Sequence, residues 1–93
     1  MKAEIKHDPV NRRFFMLING WECILFYEKI TEKLWELKKT IIPPSVRGMG
    51  ISKEIFKHVF DFLNRNNIQV KLSCMYARLF ISFHSRYSNL LAA

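Results

Sequence analysis

The sequence predicts an α+β fold: a mixed β-sheet of about five strands, mostly antiparallel with one parallel pair, carrying two main helices. Three observations predict it. Strand-like segments over residues 12–18 and 21–27, apolar at Phe14 to Ile18 and at Ile24 to Phe26, flank Asn19-Gly20, the strongest hairpin signal in the chain. The β-branched run Thr40-Ile41-Ile42 ends at Pro43-Pro44, opens onto a loop with glycines at 48 and 50, and leads into an amphipathic stretch from Ile51 to about Asn66. A second strand-then-helix pattern follows between Gln69 and Phe83. A helix joining two strands lets them pair in parallel, so the fourth and fifth strands should form the parallel pair.

Each element has its own warrant. Ala3 to Lys6 reads as a short edge strand, and His7-Asp8-Pro9-Val10-Asn11 carries turn chemistry. Phe14 to Ile18 and Ile24-Leu25-Phe26 are nearly unbroken apolar runs, which suits strands covered on both faces. Glu28 to Lys39 fits two patterns. Ile30, Leu34 and Leu37 have helical spacing, whereas Trp35, Leu37 and Ile41 share one face of a strand. The hairpin before it and the β-branched run after it favour a strand from Leu34, with a turn at Thr31-Glu32-Lys33. In the long helix, Ile51, Ile55, Val59, Phe62 and Leu63 form an apolar face widened by Phe56 and Phe60. His58 falls on its polar side and is expected to be solvated. Gln69 to Ser73 is a short strand. Met75 to about Phe83 is a second helix, expected to bury Leu79, Phe80 and Phe83, with Ser88 to Ala93 a frayed tail.

Composition sets the bounds. Residues 1–93 make one domain with a modest core. A hydrophobic content of 49% excludes disorder. No apolar stretch is long enough to span a bilayer, and the first residues lack the apolar segment of a signal peptide, so the expected location is cytoplasmic. Cys23 and Cys74 are expected to be thiols, and neither has metal-site spacing, so no metal is expected. The formal charge of +7 calls for an anionic partner or serves solubility. The basic residues are scattered with no run above two, which argues against a nucleic-acid stripe.

The loop from Arg47 to Ser52 is the first candidate site. Gly48 and Gly50 let the backbone approach a ligand closely. The start of the following helix leaves backbone N–H groups unpaired, and its dipole favours an anion. With Arg47 beside them, these donors make a phosphate site; the plain alternative is a tight turn entering a helix. The nucleotide P-loop is excluded, because no Gly-Lys-Ser/Thr follows. A dinucleotide fold is disfavoured, because the pattern is not Gly-x-Gly-x-x-Gly. Cys74 is the second candidate. It follows a strand and opens a helix, where a thiolate would be stabilised, yet the commonest fate of a free Cys is burial.

Arg47-x-x-Gly50-x-Ser52 resembles the Arg/Gln-x-x-Gly-x-Gly/Ala signature of the GNAT N-acetyltransferases, with Pro44, Gly48 and Ile51 also in keeping. Ser73-Cys74-Met75-Tyr76, then Ile81, His84 and Tyr87, resembles the C-terminal block of small single-domain GNAT-like proteins. This chain has Leu72 and Ser85 where that block has prolines, and Lys39 where a His is common. The resemblance runs from about Arg13 to Leu90. It implies acetyl-CoA as co-substrate, held by Ile41, Ile42, Arg47, Gly48, Met49, Gly50, Ile51 and Ser52, with Cys74 near the thioester. It also implies that a backbone amide near Ile41-Ile42 polarises the thioester carbonyl, which makes the Ile42 amide and Cys74 the candidate catalytic groups. Lys39 is expected at the cofactor mouth, and His84 and Tyr87 in packing the last helix. The implied function is acetyl transfer from CoA to an amine of unknown identity, with a protein lysine as one candidate. The alternatives are an acyl-CoA-binding module without turnover and, third, a small basic nucleic-acid-binding domain.

Overall fold

The computed structural model describes residues 4–92. Ala3, where the expected edge strand begins, and Ala93, where the expected tail ends, lie outside the described residues. The elements are β1 (Lys6–Asp8), β2 (Arg13–Ile18), β3 (Trp21–Thr31), β4 (Leu34–Ile41), α1 (Ile51–Arg65), β5 (Gln69–Leu72) and α2 (Met75–Phe83). Short 3-10 stretches cover Pro44–Val46 and Ser85–Leu90. The sheet order is β1-β2-β3-β4-β5. The first four strands run antiparallel, and β4 and β5 are parallel, joined by α1. This is the α+β architecture that the strand–loop–helix order predicts.

The β2–β3 hairpin turns at Asn19 and Gly20, both with positive φ (50° and 82°), as a two-residue primed turn demands. The register then places Phe14, Met16 and Ile18 opposite Leu25, Cys23 and Trp21. Both helices pack on the face that Phe14, Met16, Leu25, Tyr27, Trp35, Leu37 and Val70 present, in one continuous core. On α1 the inward stripe is Ile51, Ile55, Phe56, Val59, Phe60 and Leu63.

The expectation of strands covered on both faces is therefore corrected. Among the described residues no helix lies on the second face. Phe15, Ile24, Phe26 and Ile41 stand there side by side through the register pairs Phe15↔Ile24 and Ile24↔Ile41. Cationic side chains partly shield the rings: the Arg13 guanidinium lies 4.8 Å from the Phe15 centroid and the Lys39 ammonium 5.4 Å from Phe26.

Further corrections share one cause, namely contacts between elements that periodicity does not see. The edge strand is Lys6–Asp8 rather than Ala3–Lys6, because His7 stacks on Phe14 at 4.2 Å and bonds the Tyr27 hydroxyl at 2.5 Å. The turn after it begins at Pro9, and the Asp8 carboxylate holds the Asn11 side-chain amide at 2.8 Å. Ile41 does not share the face of Trp35 and Leu37. The register slips between Tyr27↔Leu37 and Phe26↔Lys39, a β-bulge that turns Ile41 to the open face. On α2, Ala77, Phe80 and Ile81 are buried, whereas Leu79 and Phe83 are exposed. The chain end is not a frayed tail: Leu90 is buried, Leu91 bridges Val70, and the Ala92 N–H donates to the Val70 carbonyl at 3.0 Å.

His58 is half-buried with its ring 6.1 Å from that of Phe14, so it is not the solvated side chain expected. Burial lowers its pKa, aided by Arg65 and opposed by Asp61. Burial likewise lowers the pKa of His7; Asp8 opposes the shift and His58 adds to it. In both cases the folded pKa lies below the unfolded value near 6.5. Above that pH both states are neutral at these rings and nothing is lost. As pH falls below it the unfolded chain takes up protons first, and stability declines until the folded pKa is passed. Denaturation midpoints are expected to fall between pH 7 and pH 5, and His58→Gln should flatten that slope. An unchanged slope in the variant would remove His58 from the account.

Candidate functional site

The pairing of β4 with β5 is incomplete, and that opens the site. Register contacts run from Leu34↔Gln69 to Leu37↔Leu72 and stop. The Leu37 carbonyl takes both the Ser73 N–H at 3.0 Å and the Cys74 N–H at 3.1 Å, and the strands then part. β4 continues to Ile41, paired there among the described residues with β3 alone on its other edge. The chain beyond β5 turns into α2 at Cys74. The bulge in β4 falls just where this split begins.

A cavity of about 520 Å³ sits at the wide end of the split, walled by Thr40, Ile41, Ile42, Val46, Arg47, Gly48, Gly50, Ile51, Ser52 and Tyr76. It gathers Ile41, Ile42, Arg47, Gly48, Gly50, Ile51 and Ser52 of the expected residues. Met49 and Cys74 do not line it. Met49 is half-exposed in the loop, and Cys74 is 5% exposed. Its thiol lies 3.3 Å from the Thr40 hydroxyl, so Thr40 stands between Cys74 and the cavity.

The loop is built to face its backbone into this space. Pro43 and Pro44 stop β4 and start a 3-10 turn closed by Val46 N–H to Pro43 O at 3.0 Å. Val46, 1% exposed, anchors the loop in the core. Gly48 and Gly50 have φ of 82° and 74°, conformations that favour glycine, and a Cβ at either would meet no atom within 4 Å. Gly50 is the N-cap of α1, so no side chain caps the helix. The first helical bond is Glu54 N–H to Gly50 O at 3.2 Å. The N–H groups of the first turn therefore have no intrahelical partner and present the positive end of the dipole to the cavity. The Arg47 Nε donates to the Ile42 carbonyl at 3.0 Å, which ties the loop to the end of β4 and leaves the rest of the guanidinium at the surface. Ile42 lies one residue beyond the last register pair, Ile24↔Ile41.

The other named residues fall elsewhere. Lys39 stands on the open sheet face over Phe26 rather than at the glycine loop. His84 caps the far end of α2, its Nδ1 bonding the Phe80 carbonyl at 3.0 Å and its ring stacked on Phe80 at 4.1 Å. The Tyr87 hydroxyl donates to Asp61 on α1 at 2.7 Å. These contacts make both residues packing groups. Sequence reasoning missed three walls of the cavity: Thr40, Val46 and Tyr76. Thr40 had a signal in the β-branched run that ends at the loop, and Tyr76 in its place two residues after Cys74. Val46 had none.

The arrangement can hold an anion at the loop and an extended chain in the split between β4 and β5. The family model for GCN5-related N-acetyl-transferases matches residues 13–90. Protein NATD1 of Gallus gallus is 29% identical over 80 residues, covering 84% of this chain and 73% of that protein. Protein NATD1 of Xenopus tropicalis is 30% identical over 79 residues, covering 83% and 72%. A GCN5-like protein of Staphylococcus aureus, solved by NMR, shares the fold with a TM-score of 0.76 at 20% identity, over 97% of this chain and 88% of that one. This chain belongs to the GCN5-related N-acetyltransferase family.

Proposed function

We propose that the protein is an acetyl-CoA-dependent N-acetyltransferase acting by direct attack of an amine on the thioester. The observation that carries this reading is the cavity that joins the uncapped α1 N-terminus to the β4–β5 split. The Arg47–Ser52 loop would hold the pyrophosphate of CoA through the backbone donors of Gly48, Met49, Gly50, Ile51 and Ser52. Ile41 and Ile42 would lie along the pantetheine arm, with the Ile42 amide polarising the thioester carbonyl. In the transfer the amine nitrogen bonds to the carbonyl carbon, the C–S bond breaks, and sulfur leaves with the electron pair. The proton lost by the amine balances the thiolate as free CoA thiol. The protein's part is positioning and a preformed oxyanion donor.

Cys74 as an acyl acceptor is disfavoured. Its sulfur is buried, and its side-chain partner is the Thr40 hydroxyl rather than an imidazole or carboxylate that could take its proton. Cys74→Ala is expected to keep acetyl transfer within about threefold, measured as CoA thiol release with a panel of amines. A loss of a hundredfold or more, with CoA binding intact, would establish a covalent route through Cys74. An acyl-CoA-binding module without turnover is the second reading. It predicts CoA binding with no thiol release from any amine.

A further inference from the structure

A gap between two strands opens on both faces of a sheet. On the helix-covered side buried Val46 and Ile51 wall the glycine-loop cavity, and Cys74 is buried behind Thr40. The open face, where no helix packs among the described residues, is the free approach to the β4 side of the split. A second cavity of about 610 Å³ lies beside β4 and includes Val10, Arg12, Phe26, Glu28, Lys38 and Lys39 in its walls. Lys39 directly precedes Thr40, which walls the glycine-loop cavity. Ile41, another wall of that cavity, shares the open face with Lys39, and at a strand rise of about 3.3 Å per residue the two stand about 7 Å apart along β4.

The charge of this second cavity is one-sided. Three cations and one carboxylate line it, and that carboxylate, Glu28, is already paired with Arg12 at 2.7 Å. Lys38 reaches Glu36 at 3.6 Å, a long contact between an exposed lysine and a half-buried carboxylate. Lys39 makes no ion pair among the described residues and rests over the Phe26 ring. A bare cationic amine would be repelled here, and so would an amine set among basic residues, more so in a chain of formal charge +7.

We infer that the acceptor is an amine carried beside a carboxylate, which enters across the open sheet face and seats its carboxylate between Lys38 and Lys39 while its apolar part lies on Phe26. This rests on the acetyl-transfer reading and deepens it. Two sources share the chemistry: a free amino acid, or a lysine in an acidic stretch of a protein.

The test pairs acceptors that differ in that charge. L-lysine is compared with lysinamide, and a peptide whose lysine is flanked by aspartates with one flanked by asparagines. The acidic member is expected to have kcat/KM about tenfold higher, the range of a charge-assisted contact. The difference should vanish in Lys38→Gln/Lys39→Gln and persist in Lys38→Arg/Lys39→Arg, with KM for acetyl-CoA unchanged in both. A preference confined to the free amino acid pair, or to the peptide pair, assigns the source. Calorimetric titration of the aspartate peptide into the wild-type protein and the Gln variant, with CoA present, gives a readout without turnover. Equal kcat/KM within each pair, or a preference that survives in the Gln variant, overturns the inference while leaving the transferase reading intact. Binding of the acidic peptide that is lost in the Gln variant, with no turnover of any amine, upholds the subsite and overturns the transferase reading. No turnover together with no peptide binding overturns both.

Discussion

Phe60→Ala is expected to cost about 3–5 kcal/mol, the range for emptying a buried aromatic site. Phe60 is fully buried and holds three elements together. Its ring stacks on Phe80 of α2 at 5.6 Å, lies 5.5 Å from Tyr87, and sits 6.4 Å from Phe56 on its own helix. Its aromatic neighbours are rings packed on one another, which cannot extend into the space left behind. A small domain has only about 5–15 kcal/mol in total, so the variant should melt more than 10 °C lower or fail to fold. Phe83→Ala makes the contrast. Its ring is 77% exposed, and the change should stay within about 0.5 kcal/mol. Urea or thermal denaturation of both variants checks the pair. Equal losses would mean that α2 is rotated from the orientation described.

The second large effect is functional. Gly50→Val is expected to abolish CoA binding at concentrations that saturate the wild-type protein. Gly50 has φ 74°, which a β-branched residue avoids at a cost of about 1–2 kcal/mol or more. A Cβ there would meet no protein atom within 4 Å, so its first carbon meets no clash. The damage comes through the backbone: relaxing φ to a negative value swings the first amides of α1 out of the cavity. Gly50→Asn separates this cause from crowding of the ligand, since Asn tolerates the left-handed region. Retained binding in the Asn variant assigns the effect to φ. Loss in both variants assigns it to a ligand lying against the Gly50 Cα. Normal binding in the Val variant would place the anion site elsewhere.

What the sequence revealed, and what it hid, follows from the range of each signal. The Asn19-Gly20 turn, the Pro43-Pro44 stop, the glycine loop and the ends of α2 are written in residues adjacent in the chain, and each is where it was expected. The crossover through α1 made the β4–β5 pair parallel for the same local reason. Facing was harder to read. Phe83 has helical spacing with both Leu79 and Phe80, yet α2 turns Ala77, Phe80 and Ile81 inward because α1 offers Phe56 and Phe60 there. Unbroken apolar runs in β2 and β3 read as two covered faces. Instead, one face is left to Phe15 and Phe26 under Arg13 and Lys39, shielding that depends on cross-strand register rather than on either strand alone.

The candidate site divides in the same way. Its loop was legible because glycine, proline and a helix start carry their geometry with them. The split was not, because it depends on where two strands far apart in sequence stop pairing, Leu37 with Leu72. The bulge between Leu37 and Lys39 carries no glycine to mark it, and it is what turns Thr40 toward Cys74 and Lys39 away. Tyr76 and Val46 join the cavity only through that folding.

The central claim is that the glycine loop and the β4–β5 split form one acyl-CoA site. A two-dimensional amide NMR titration of the labelled protein with coenzyme A tests it most directly. The predicted result is saturable shifts concentrated at the amides of Gly48, Met49, Gly50, Ile51 and Ser52 and at Thr40, Ile41 and Ile42, with Trp21 and Val10 unmoved. Absence of shifts at millimolar coenzyme A, or shifts clustered on the open sheet face alone, would contradict it.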